Sequence, residues 1–186
     1  PAGAQFLAAS PDEVWAVGGR GEENWVWRID PAGNSVTPLP EALHPGVPGK
    51  VSAVAYGRDR LWVALYGTQW GVPSRVVTID PATGASEQLP AEIPEEMIIN
   101  DMALTDTGLA LIGTDLSAET PRGVLVLLDA SGASVGDVSM GRGLTGITLT
   151  EDGLWISDCL DGTLTLVDPR TGTPRGQPVQ VGTAYP

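Results

Sequence analysis

One cysteine, one histidine, one phenylalanine and ten basic residues are what this 186-residue chain has little of. Each scarcity removes a class of function. With Cys159 alone, no internal disulfide and no Cys-x-x-Cys motif can form, the redox compartment stays open, and the side chain is expected to pack as a small hydrophobe. With His44 alone, in the Pro- and Gly-rich stretch EALHPGVPGK, neither a Ser-His-Asp triad nor a histidine metal site has its parts, and a surface histidine is expected. Ten Lys and Arg against 23 Asp and Glu leave a formal charge of −13. Nucleic acid is excluded as a partner on that balance, because phosphates are bound by clustered cations that release counterions. An anionic membrane surface is disfavoured for the same reason. No apolar run approaches the roughly 18 residues that span a bilayer, so no direct membrane insertion is expected, and no charged-then-apolar leader opens the chain. The first residue is Pro1, the pattern of a cut chain or a mature fragment, which leaves a removed leader or anchor open.

Glycine and proline are plentiful, at 24 and 16, and they fall at regular places. Trp15, Trp62 and Trp155 each sit in an apolar run just after a turn, and Ala110 in GLALIGTD takes the equivalent place, giving steps of 47, 48 and 45 residues. Asp30, Asp80, Asp129 and Asp168 mark a second recurring turn, in RIDPAG, TIDPATG, LLDASG and LVDPRTG. A period of about 46 residues filled with short runs such as VSAVAY, LWVALY and RVVTID predicts one four-stranded β-propeller blade per repeat. The aspartate side chain bonds amides beyond it, proline presets φ, and glycine accepts the positive φ that closes the hairpin between third and fourth strands. The expected fold is all-β, a single propeller domain or propeller segment over residues 1–186, with blades at about 1–40, 47–90, 98–139 and 144–182. At this length the core needs no metal or disulfide.

In such a blade the connections between second and third strands and those between blades emerge on one face. That face then gathers GGRGEEN, YGTQWGVPS, GTDLSAETPRG and DCLDG, with PEALHPGVPGK, PAEIPEEMIIND and SMGRGLT, while the tight turns occupy the other. The elaborated face is where a partner protein or small ligand is expected, through Trp70, Arg75, Asp115, Arg122, Arg142, Glu95 and Glu96. An aromatic beside an arginine on a long loop, as in Trp70 and Arg75, is interaction hot-spot chemistry; the competing reading is that Trp70 folds back on its own loop. The in-register Trp15, Trp62 and Trp155 are expected to be wedges between blades with bonded indole N–H groups, and Trp25 and Trp27 to pack as well. The glycines at 18–21 lead from strand to strand, so no helix N-terminus accompanies them to hold a phosphate.

Asn100 and Asp101 stand where the chain enters an innermost strand, and their oxygens suit a hard cation such as Ca²⁺; the alternative is that both bond loop amides and cap the strand. The pair resembles the entry of gluconolactonase and senescence-marker propellers, which hold a divalent metal in the channel. The other repeats, GKVSAVAY and LTGITLT, supply no matching asparagine. No resident cofactor is expected otherwise.

The run DGLWISDCLDGTLTLVDPRTGTPRGQPVQVGTAYP resembles one blade of the YncE and virginiamycin B lyase-like propellers, within the wider NHL-like superfamily. The resemblance is strongest over 151–186, fair over 51–90 and loose elsewhere. It implies a bacterial, extracytoplasmic sensor or binding domain, periplasmic, secreted or tethered. The lyases use a channel histidine and acidic metal ligands, and His44 lies off register, so that activity is not carried over. Four blades are few for a ring: further blades, two copies forming an eight-bladed ring, or closure of four alone all remain open, with apolar blade faces favouring a partner. The preferred reading is a non-catalytic binding or sensor module; the alternative is a metal-dependent hydrolase or lyase at Asn100 and Asp101.

Overall fold

The computed structural model describes residues 3–10, 12–20, 23–39, 49–67, 72–117 and 119–183. These hold sixteen strands and no helix, in four four-stranded antiparallel sheets of consecutive strands, the blades of a β-propeller. No helix among the described residues is long and apolar enough to cross a membrane. The chain divides into two compact units, Pro1–Leu89 and Pro90–Pro186, with two blades in each.

In the first unit, β1 (Gly3–Ala9), β2 (Val14–Arg20), β3 (Glu23–Asp30) and β4 (Ser35–Pro38) form one blade. The second contains β5 (Lys50–Gly57), β6 (Arg60–Tyr66), β7 (Arg75–Ile79) and β8 (Ser86–Gln88). Alternation along each strand sends Trp15, Val17 and Val26 of the first blade against Leu61, Val63, Leu65, Val77 and Ile79 of the second. Trp15 is wholly buried and stacks on Tyr56, ring centroids 4.5 Å apart and planes 19° from parallel. It is the expected wedge, but its indole N–H meets no acceptor among the described residues, where its surroundings are aliphatic side chains and a ring face. Trp62 does bond, donating from Nε1 to the Gly57 carbonyl at 3.0 Å.

In the second unit, β9 (Met97–Leu104), β10 (Gly108–Asp115), β11 (Arg122–Asp129) and β12 (Ser134–Ser139) form the third blade. The fourth has β13 (Leu144–Thr150), β14 (Gly153–Asp158), β15 (Thr163–Val167) and the two-residue β16 (Val179–Gln180). Ala110, Ile112, Leu125 and Leu127 pack on Leu144, Ile147, Leu154, Ile156 and Val167. Trp155 occupies the register of Trp15, yet it is only half-buried, because no blade of its unit lies on that face. The same holds in the first unit for the half-buried Trp27 and the exposed Trp25, which correct the expectation that both pack.

All four aspartate turns form as their chemistry dictates. One carboxylate oxygen of Asp30 accepts the N–H groups of Ala32 and Gly33, Asp80 those of Ala82 and Thr83, Asp129 those of Ser131 and Ala133, and Asp168 those of Arg170 and Thr171. The left-handed residue is glycine in three, Gly84, Gly132 and Gly172, but in the first turn it is Asn34 at φ 47°. Asparagine tolerates that region through its short polar side chain. The register adds a feature that residue types did not announce. Each first strand carries a bulge, with Gln5, Ser52, Asn100 and Thr145 as the extra residues, and these recur at the spacing of the tryptophans.

These turns make stability depend on acid. The Arg175 guanidinium and the N–H groups of Arg170 and Thr171 hold the Asp168 carboxyl down at about 2, against an ordinary 3.8. The Asp80 carboxyl is lowered chiefly by the Ala82 N–H, and that of Asp129 by the Ser131 hydroxyl. A carboxyl lowered by folding contributes fully above its unfolded value and loses that contribution as pH falls through its folded value. Denaturant titrations should therefore show stability declining from about pH 4 toward pH 2, and Asp168→Asn should be less stable at pH 7 with a flatter decline.

Candidate functional site

The loop end of the second unit is organised around Asp158, the last residue of β14. One carboxylate oxygen accepts the N–H groups of Leu160 and Asp161 at 2.9 and 3.0 Å, turning the chain into β15. The other accepts those of Arg142 and Gly143 at 2.9 and 3.2 Å, fastening the connection from the third blade to the fourth. Burial pushes this carboxyl up, yet the four donors together hold it below its ordinary value. Gly141, at φ 49°, crosses directly over the carboxylate, and a Cβ there would overlap an oxygen.

Beside this knot opens a cleft of about 390 Å³ between β12 and the outer strands of the fourth blade. Its apolar floor is Val138, Met140, Leu144 and Ile156, and Thr163, Thr165 and Asp161 bring hydroxyl and carboxylate groups to the wall. The cleft exists because the outermost strand is broken. A four-stranded blade over 144–182 needs an outermost strand after the Asp168 turn, but the chain makes a single bridge from Pro174 to Val167 and resumes pairing only at Val179. Pro174 and Pro178 lack the N–H that a ladder needs, so the segment between them bows away from β15.

The residues singled out by sequence are deployed differently from one another. Asp115 and Arg122 are brought together, with Nε and Nη2 donating to one carboxylate oxygen at 3.0 and 2.9 Å. The Ser117 hydroxyl and N–H bond the other oxygen, and with them lower the Asp115 carboxyl. This pair closes the β10–β11 loop and leaves little capacity for a ligand. Arg142 is largely exposed and faces, at 3.7 Å, the Asp161 carboxylate that lines the cleft. Glu95 and Glu96 are exposed just before β9, where the Glu96 carbonyl accepts the Leu116 N–H. The segment leading to them is pinned lower down the blade, the Glu92 carboxylate accepting the Ser134 N–H at 3.0 Å.

Asn100 and Asp101 join β9 to β13. The Asn100 amide donates to the Leu144 carbonyl at 2.8 Å, while the Asp101 oxygens accept the N–H groups of Met102 and Ile147 at 2.8 and 3.0 Å. Burial raises the Asp101 carboxyl while both N–H groups pull it down. No group of three or more His, Cys, Asp or Glu converges among the described residues. Arg75 belongs to the first unit; burial lowers its pKa, and its Nε and Nη2 have no hydrogen-bond partner among the described residues. Trp70 and His44 lie outside the described residues. Cys159 is exposed, contrary to its expected burial, because it sits at a tight turn with only its N–H engaged, to the Gly143 carbonyl. Sequence reasoning passed over Asp158. The available signal was an aspartate ending the second strand in both GTD and ISD, each capping an amide two residues on, Ser117 or Leu160.

Asp158→Ala leaves four donors without their acceptor and is expected to cost about 3 kcal/mol of stability, measured by chemical denaturation. Gly141→Ala should approach that loss, whereas Asn100→Ala, which removes one bond between β9 and β13, should cost about 1 kcal/mol.

No family model and no curated protein matches the chain. Solved structures do share its fold. A prolyl endopeptidase aligns with a TM-score of 0.64 at 18% identity over 95% of this chain and 26% of its own. Apo AztD from Citrobacter koseri aligns with a TM-score of 0.56 at 14% identity over 98% of this chain and 48% of its own. A chain of a nidogen–laminin complex aligns with a TM-score of 0.62 at 10% identity over 89% of this chain and 59% of its own. This chain thus spans between about a quarter and three-fifths of the proteins it resembles in fold.

Proposed function

We propose that the protein is a non-catalytic binding module, taking a protein segment or small ligand at the loop end of its second unit. The observation that carries this reading is the cleft of about 390 Å³, with an apolar floor, threonine hydroxyls on its wall and, 3.7 Å from its Asp161, the exposed Arg142. A concave apolar surface with a few polar groups at its edge is the ordinary form of a recognition site. Arginine at the edge of such a surface supplies directional contacts at little cost, since its charge stays in water. Neighbouring folds include both an endopeptidase and a chain of a complex, so the fold leaves the choice to the site. At the site, Asp115 and Arg122 neutralise each other and Asp158 is saturated by amides, so neither carboxylate among these described residues is free to act as a base.

The YncE and virginiamycin B lyase-like pattern of residues 151–186 extends the proposal to a bacterial extracytoplasmic sensor domain without a resident cofactor. Arg75, whose Nε and Nη2 have no hydrogen-bond partner among the described residues, is a second contact point in the first unit. A metal-dependent hydrolase is the competing reading, and it requires Asn100 and Asp101 to exchange their backbone bonds for a cation.

Peptides selected from a random display library against the immobilised protein should lose at least tenfold in affinity on Met140→Asp or Arg142→Glu. Binders indifferent to both changes would remove the cleft from consideration. Calorimetric titration with Ca²⁺ or Zn²⁺ should give no heat that Asp101→Asn abolishes; such heat would favour the hydrolase.

A further inference from the structure

We propose that the cleft of the second unit takes the free amino terminus of a peptide whose first side chain is apolar, an assignment that rests on the binding-module reading above. The balance of charge points to a cationic group. Residues 90–186 hold 14 Asp and Glu against four Arg, a net −10 out of the −13 carried by the whole chain. The charged side chains that line the cleft among the described residues, Asp158 and Asp161, are both carboxylates. An apolar floor beside them concentrates their field on whatever enters.

The two carboxylates differ in what they have left to offer. Both oxygens of Asp158 are filled by backbone N–H groups, so it contributes charge alone. Asp161 is open. Elsewhere in this unit Arg122 bonds Asp115 at 2.9 and 3.0 Å and Arg175 bonds Asp168, whereas Arg142 stands 3.7 Å from Asp161, too far for a hydrogen bond. An acceptor and a donor that are adjacent but unbonded match the end of a chain. The ammonium donates to Asp161, and the carbonyl of the same residue accepts from Arg142. A lysine ammonium, by contrast, brings no acceptor beside it and leaves Arg142 facing a like charge.

The rest of the cleft fits such an end. Its floor of Val138, Met140, Leu144 and Ile156 takes the apolar side chain. Thr163 and Thr165 lie two residues apart on one face of β15, a spacing of about 6.6 Å that equals the repeat of an extended peptide. Their hydroxyls therefore serve peptide groups beyond the first residue, which a free amino acid lacks. At about 390 Å³ the cleft lies at the small end of ligand pockets, roughly 300–1,000 Å³, and suits a chain end better than a folded surface.

Amidated tetrapeptides test this, as mixtures with the first residue fixed as Leu, Ile, Val or Met and the other three randomised, each made with a free amine and with an Nα-acetyl group. On the immobilised 186-residue chain the free-amine form should be retained at least tenfold better. Asp161→Asn, which changes a turn carboxylate outside the core, should abolish that preference, and Met140→Asp should abolish retention. Equal retention of acetylated peptides, retention that depends on an internal lysine, a preference that survives Asp161→Asn, or displacement by free leucine at equal concentration would overturn the proposal. If Met140→Asp still abolishes retention in any of those cases, the cleft stands as a binding site with a different ligand. Retention indifferent to Met140→Asp, or no retention of any mixture, would remove the cleft as a peptide site and this assignment with it.

Discussion

A sheet that is apolar on both faces cannot stand alone in water, and that constraint organises everything else in the chain. In β6 the run from Leu61 to Leu65 is buried throughout, so both faces of the strand must be covered. In the first unit one cover is the neighbouring blade, with Trp15 laid on Tyr56. Stacking blades face to face in turn dictates that strands run between two ends, that hairpins be tight at one end and that the longer connections collect at the other. The surface proposed for binding is therefore a by-product of how the cores are covered. Residues free of packing duty, such as Arg142, are found where the strands stop.

The parts of this arrangement that depend on chemistry within a few residues were legible in the sequence. An aspartate bonding amides two and three positions ahead leaves its mark in the string itself, and all four such turns were identified from DP or DA followed by a small or polar residue. Only the left-handed position was misassigned in one, where Asn34 rather than Gly33 takes the positive φ. The propeller class followed from the spacing of those turns and of Trp15, Trp62 and Trp155. Features needing two distant segments were not legible. Asp158 is fixed by Arg142 and Gly143, sixteen and fifteen residues earlier, and only the pairing of β13 with β14 brings them together. The bulges at Gln5, Ser52, Asn100 and Thr145 share a position in the repeat but no side-chain chemistry.

Among the candidate site residues, charge proved a poor guide to availability. Asp115 and Arg122 stood out as loop charges, and the fold turns them on each other at the adjoining ends of β10 and β11. The cleft, by contrast, comes from two prolines that interrupt a strand. That signal was present in TPRGQP, where its meaning depended on knowing that β15 required a partner there. Hydrophobicity misled in a similar way for Cys159, which a tight turn holds out in solvent.

Uniform blade contacts carry an evolutionary consequence. Because the first and third blades present their tryptophan-register faces to equivalent surfaces on their successors, a gene segment encoding about 46 residues can be duplicated or deleted without inventing a new core. Propellers with different blade numbers then become neighbours in sequence space. Selection needs only to repaint the strand ends, where loops vary, to give each new assembly a different task.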